Sequence, residues 1–257
     1  MEQICADLRA EHDDLDSLVA TLADASWDLP TPAAGWTVRD QVSHVGYFDR
    51  TAVSAITDPD AFAAGAAALL AGGVDRSVEP GRMRSPSELL AWWRDGRAAL
   101  LDALGPLDPR ARIAWYGPPM SARSFATARL METWAHGQDI ADALGVQRRP
   151  TSRLRHVAHI GVRARPFSYA IRGLPLPAEP VAVVLAGPDG DTWSWDEGAE
   201  DVVTGPALDF CLVVTQRRHP ADVDLQVVGD GAREWLGIAQ AFAGPPGPGR
   251  PPSALAP

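Results

Sequence analysis

The run Arg129-Leu130-Met131-Glu132-Thr133-Trp134-Ala135-His136-Gly137-Gln138-Asp139 constrains this chain more than any other segment. At about 100° per residue, a helix brings Glu132 and His136 to nearly the same angle one turn apart, and Arg129 and Asp139 fall within the same arc of about 80°. Leu130, Met131, Trp134 and Ile140 flank this ionisable stripe, so the helix is apolar over much of its circumference. Such a helix is largely buried, and buried charges need pairing or coordination. An isolated Glu–His pair at this spacing reads as a surface hydrogen bond. A shared metal is the alternative, because both side chains can aim one lone pair at a common point.

A second histidine adds weight to the metal. His44 lies among Val38, Val42, Val45 and Phe48 on an apolar helix face. Alone it reads more readily as a hydrogen-bonded core histidine than as a ligand. With Glu132 and His136 it makes two imidazoles and a carboxylate from facing helices, a three-ligand set that leaves coordination positions open for chemistry. That donor set suits a divalent metal, with zinc first and nickel, iron or manganese as alternatives. Asp139, one turn beyond His136, is a candidate acceptor for the second ring nitrogen. Arg129, one turn before Glu132, is a candidate to orient that carboxylate or to bind an anionic substrate. For both, a plain intrahelical ion-pair network is the competing reading.

The remaining composition removes whole classes of function. The net charge is −10 and no basic stripe stands out, against a nucleic-acid footprint. No apolar run approaches a membrane span, and the N-terminus lacks the basic and apolar regions of a signal peptide, so a cytoplasmic protein is expected. Cys5 and Cys211 are too few and too far apart for a disulfide framework or a thiolate metal site, and both fall at apolar positions. Every basic side chain other than histidine is arginine, which excludes a Schiff-base lysine. His12, in the polar run Glu11-His12-Asp13-Asp14, is expected at the surface, as are His156, His159 and His219. The usual nucleophile-elbow, P-loop and dinucleotide signatures are absent.

The first half reads as helices, four of them long, which suggests a four-helix bundle. Apolar spacing predicts one over 2–26. Thr37 and Asp40 cap a second, running to about Ile56 and carrying His44. An alanine-rich helix covers 60–72. Ser85-Pro86-Ser87-Glu88 opens a long one that stops at Gly105-Pro106. The helix of the ionisable stripe runs from near Ser121 to Gly145. Beyond Pro150 the pattern becomes α+β: a helix over 152–172, strands at 181–185, 192–195, 201–204 and 223–227, and helices over 206–216 and 231–242. The expected domains are a helical bundle over 1–148, an α+β domain over 149–243 and a Pro/Gly-rich tail over 244–257 that is disordered by composition.

Two segments carry a family resemblance. Trp36-Thr37-Val38-Arg39-Asp40-Gln41-Val42-Ser43-His44-Val45 resembles the second-helix signature of DinB-like metal-binding bundles, and Glu132-x-x-x-His136-x-x-Asp139 resembles their last-helix signature. The chain looks most like the mycothiol-dependent maleylpyruvate isomerases of actinobacteria and their metal-binding neighbours. The resemblance implies an α + (α+β) fold: a DinB-like four-helix bundle followed by a small sterol-carrier-protein-like α+β domain. It implies His44, Glu132 and His136 as the metal ligands and mycothiol as cofactor. It also implies a reaction in which the metal lowers the pKa of the cofactor thiol and the thiolate attacks an electrophilic small molecule. In an isomerase the thiolate adds to a double bond, the bond rotates and the thiol leaves; in a transferase the thioether stays. Arg39, Arg50, Arg82, Arg84 and Arg123 are candidates to hold acidic groups, with Arg39, Arg50 and Arg123 taken as cofactor-binding and Arg129 and Asp139 as catalytic.

Fold and triad do not choose the reaction. A hydrolase or lyase using metal-bound water, and a non-enzymatic metal- or lipid-binding module, remain alternatives. The partners expected are the thiol and a small electrophile, with no nucleic acid and no membrane, in a monomer or homodimer. The loop Ala114-Trp115-Tyr116-Gly117-Pro118-Pro119-Met120-Ser121 precedes the stripe helix. It is a candidate pocket wall, with ordinary packing as the alternative.

Overall fold

The computed structural model describes residues 1–253, which form two compact units, Met1–Arg148 and Arg149 onward. In the first unit, α1 (Glu2–Val19), α2 (Val38–Thr57), α5 (Pro86–Leu104) and α6 (Ala122–Leu144) are the four long helices of a bundle. Shorter pieces, α3 (Pro59–Gly72), a 3-10 turn at Val74–Ser77 and α4 (Glu79–Arg82), link α2 to α5. The predicted starts are real caps. Thr37 accepts from the Asp40 N–H while Asp40 accepts from the Thr37 N–H, and Ser85 and Glu88 form the same box ahead of Pro86. α6 begins at Ser121 and ends on Gly145, whose φ of 65° is the left-handed conformation that favours glycine.

α2 packs most extensively against α5, and α1 against α6. Leu15, Val42, Val45, Trp93 and Ile140 meet in the shared core. Gly46 lets α2 and α5 approach: a Cβ there would sit 2.6 Å from the Trp92 ring. The first helix ends at Val19, short of the predicted 26. The chain instead makes a 3-10 turn at Asp24–Asp28 that buries Trp27 beneath the bundle. A two-residue hairpin, β1 (Arg112–Ile113) with β2 (Met120–Ser121), precedes α6. It is too short for periodicity to reveal.

The second unit contains a four-stranded sheet of order β4-β3-β5-β6, comprising β3 (Val181–Ala186), β4 (Thr192–Trp195), β5 (Asp201–Pro206) and β6 (Gln226–Val228). β3 pairs antiparallel with β4 and parallel with β5, in the register Val183↔Val203. α7 (Leu154–Arg163), α8 (Arg165–Ala170), α9 (Ala207–Val214) and α10 (Asp230–Ile238) complete the unit. The single helix expected over 152–172 is two, because Pro166 lacks an N–H and its ring crowds the preceding turn. The last strand lies later than 223–227. The Asp224 N–H donates to Asp209 Oδ2 instead of to the sheet. The helix predicted to 242 ends at Ile238. The proline-rich tail carries no helix or strand over 244–252, but Arg172 donates to the Gly247 carbonyl and Asp222 accepts from Ser253. The last four residues of the predicted tail lie outside the described residues. No helix among the described residues is long and apolar enough to cross a membrane.

Candidate metal centre

His44 from α2 and Glu132 and His136 from α6 each offer a ligand atom, and these atoms lie within 4.8 Å of one another. Among the described residues this is the one cluster of three or more such groups. His136 Nε2 stands 3.3 Å from Glu132 Oε2, and the two imidazole centroids are 4.5 Å apart. Bonds of about 2.0–2.2 Å at a tetrahedral centre separate neighbouring ligand atoms by about 3.3–3.6 Å, so the cluster is near the size a zinc-like ion requires.

Hydrogen bonding settles which nitrogen of each ring carries the proton. The Thr31 hydroxyl donates to the Trp36 carbonyl, so it must accept from Gln41 Nε2. That turns Gln41 Oε1 toward His136 Nδ1, at 2.6 Å. An amide oxygen only accepts, so Nδ1 of His136 bears the hydrogen and Nε2 carries the lone pair. The same logic holds for His44. The Ser77 hydroxyl donates to the Val74 carbonyl at 2.6 Å and therefore accepts from His44 Nδ1 at 2.8 Å. Both rings thus present Nε2 as the basic nitrogen. With Nδ1 bonded to Gln41, His136 Nε2 and Glu132 Oε2 face each other at 3.3 Å and can serve as two donors to one shared cation. The donor set therefore fits a divalent metal.

A short segment holds Ser77 in place. Ser43 donates to the carbonyls of Ser77 and Val78 and accepts from the Gly81 N–H. Gly81 approaches so closely that a Cβ would lie 2.6 Å from the Ser43 Cβ. Arg82 pairs with Asp40, and Arg39 donates to the carbonyls of Gly81 and Arg84. Gln41 and Ser77 were not read from the sequence. Gln41 could have been found as the polar residue one turn before His44 on a buried face. Ser77, from a separate turn, gives no such signal.

The other predicted residues have different neighbours. Gln41, not Asp139, is the acceptor facing His136 Nδ1; Asp139 is buried one turn further along α6. Arg129 is 4% exposed and donates through Nε and Nη2 to Asp49 Oδ1, which is fully buried, and to the Val45 carbonyl. A cation enclosed in this way supports the core of the bundle and is withheld from an anionic substrate. Arg39 also pairs with Asp28. Arg50 donates to the Trp92 carbonyl and lies over the Trp92 ring. Arg123 is exposed in the first turn of α6. His12, expected at the surface, is 1% exposed and lies 3.6 Å from Asp49. Its helix turns this face inward against α6, where neighbouring apolar positions fill the core. Burial raises both thiols, Cys5 and Cys211, so neither is a ready thiolate near neutral pH.

Comparison with known proteins identifies similar chains and a shared fold. Two Mycobacterium tuberculosis proteins from different strains, each described as uncharacterised, are 54% identical over 249 residues, which covers 95% of this chain and 97% of theirs. Two crystal structures of mycothiol-dependent maleylpyruvate isomerase, one of them a histidine-to-alanine mutant, superpose with TM-scores of 0.57 and 0.56 at 17% identity. Each superposition covers 84% of this chain and 89% of the other, so the mixed helical and small-sheet fold is shared. A family model described as the mycothiol maleylpyruvate isomerase N-terminal domain matches residues 8–141, the stretch that contains His44, Glu132 and His136. On that match, the chain belongs to the mycothiol maleylpyruvate isomerase N-terminal domain family.

Proposed function

We propose that this chain is a metal-dependent enzyme that uses mycothiol either to isomerise an electrophilic small molecule or to form a thioether with it. The observation that carries the proposal is that His44, Glu132 and His136 each bring a ligand atom within 4.8 Å of the others, with His136 Nε2 3.3 Å from Glu132 Oε2. His44, Glu132 and His136 would hold the ion, and zinc suits this donor set. When bound, a divalent cation lowers the pKa of a thiol beside it, which supplies a nucleophile near neutral pH. Gln41 and Ser77 fix both imidazoles in the tautomer that leaves Nε2 basic. Trp36 packs against both rings, with centroids 4.9 Å from His44 and 6.0 Å from His136, and restricts their rotation. Three protein ligands leave room for a further donor. The raised pKa values of Cys5 and Cys211 support an external thiol.

Arg129 and Asp139 act in this reading by supporting the α6 face that carries the ligands. The mixed sheet with flanking helices in the second unit supports a sterol-carrier-protein-like fold there.

The test is elemental analysis of wild type and His44→Ala, purified without a histidine tag, followed by turnover of activated alkenes with and without mycothiol. About one metal per chain, lost in the variant, and turnover that needs both metal and thiol are expected. A well-folded wild type that takes up no zinc, nickel or iron overturns the proposal. Turnover independent of added thiol replaces it with the metal-bound-water chemistry of a hydrolase or lyase.

A further inference from the structure

From ligand His44 a run of aromatic rings leads away along α2. The Phe48 ring meets His44 at a centroid distance of 4.7 Å. Tyr116 follows at 5.8 Å and Trp115 at 6.2 Å from Phe48. Trp115 stacks on Phe62 at 5.5 Å with the planes 5° apart, and meets Phe125 edge-on at 4.9 Å. The rings fall into two groups by burial. Phe62 and Phe125 are buried, whereas Phe48, Trp115 and Tyr116 are half-buried. An ordinary core would enclose all five. Here two buried rings back three that are only half-buried, and one of those three, Phe48, meets a ligand histidine. The β1–β2 hairpin makes this possible by folding the Trp115-Tyr116 loop back onto α2.

The cations of the helical unit are arranged differently. Arg129 is enclosed with Asp49, Arg82 pairs with Asp40, and Arg39 and Arg50 are held by Asp28 and the Trp92 carbonyl. Arg123 precedes Glu132 by nine positions on α6, which is about 13 Å along the helix axis. A small dicarboxylate at the triad would therefore meet rings on this side, not guanidinium groups. Rings offer flat apolar surface and a quadrupole, which recognise other rings and extended apolar groups.

We infer that the electrophile this site takes carries an aromatic or comparably flat apolar group, seated against Phe48, Trp115 and Tyr116, and is not a small dicarboxylate. The inference rests on the thiol- and metal-dependent reading of the same triad, but it can be tested separately by binding. Equilibrium dialysis of the full chain, zinc-loaded and metal-stripped, would compare benzylideneacetone, an aromatic enone, with maleate, both without thiol. Benzylideneacetone should bind saturably and at least about tenfold more tightly than maleate, and Phe48→Leu and Trp115→Leu should each weaken it by about tenfold. Zinc stoichiometry in those variants should stay at the wild-type value, and circular dichroism melting would confirm that each is folded. Tighter binding of maleate, or enone binding unchanged by both leucine variants, overturns the inference and leaves the metal reading intact. Failure of wild type to bind zinc removes the metal reading, and the enone result then reports on the aromatic wall alone.

Discussion

His136 Nδ1 lies 2.6 Å from Gln41 Oε1, and Thr31 and the Trp36 carbonyl hold that amide in its orientation. The relay spans two segments: Gln41 from α2, and the turn before it. Its consequence is chemical, because it keeps the basic nitrogen of His136 directed at Glu132.

Replacing Gln41 with leucine removes the acceptor and leaves both histidines and Glu132 in place. His136 can then take either tautomer or rotate. Zinc affinity should fall by about 10–100-fold, the range for losing a partner of a ligand histidine. Competition with a chromogenic chelator would measure it, and Ser77→Ala should behave alike through His44. Unchanged affinity in both variants would show that the tautomers are held by something other than these bonds.

His44→Ala is the harsher substitution. It removes one of three ligands but only a moderately sized ring at the edge of the core, so the bundle should remain folded while zinc stoichiometry collapses. Circular dichroism and elemental analysis on the same preparation separate the two effects. Full metal retention would exclude His44 from the site.

Sequence patterning revealed the parts of this structure that depend on local rules. The capping boxes at Thr37/Asp40 and Ser85/Glu88, the glycine stop at Gly145, and the shared helical face of Glu132 and His136 all follow from residue spacing over a few positions. What could not be read depends on contacts between distant segments. Ser77 reaches His44 from a 3-10 turn 33 residues away, and Arg129 finds Asp49 80 residues away. The charged neighbours Glu11, Asp13 and Asp14 point to a surface position for His12, which is buried. Yet Glu11 itself is buried and paired with Arg148, so a polar run conceals an inward face.

His12 gives the fold a pH dependence of defined sign. Its pKa is pushed down to about 4, first by burial; Asp49 opposes the shift, while Arg97 and Arg129 add to it. Near neutral pH the ring is uncharged, so the 3.6 Å contact with Asp49 is not an ion pair there. The unfolded chain binds this proton near pH 6.5, and the folded chain resists it. The contribution is therefore complete above about pH 6.5 and is lost as the pH falls toward about 4, by an amount on the order of 3 kcal/mol. Urea midpoints of wild type and His12→Asn across that window would test this. The wild-type curve should fall more steeply with acid, and parallel curves would show that His12 is not the group responsible.

The Arg129–Asp49 pair should report on folding without reporting on metal. Both side chains are enclosed, and Trp93 Nε1 donates to the second Asp49 oxygen at 3.3 Å. Arg129→Met leaves Asp49 as a buried carboxylate without its cation and should cost about 3–5 kcal/mol. Adding Asp49→Leu removes that stranded charge, so the double variant should recover part of the loss, because a buried pair gains little over an apolar replacement. Zinc stoichiometry should remain unchanged in both, since neither residue is one of the three ligands and each variant keeps its fold. Denaturant titrations of the two variants, each paired with metal analysis, measure this. A single variant no less stable than wild type would mean the pair does not hold the bundle together. Loss of zinc from a folded Arg129→Met protein would return Arg129 to the metal site.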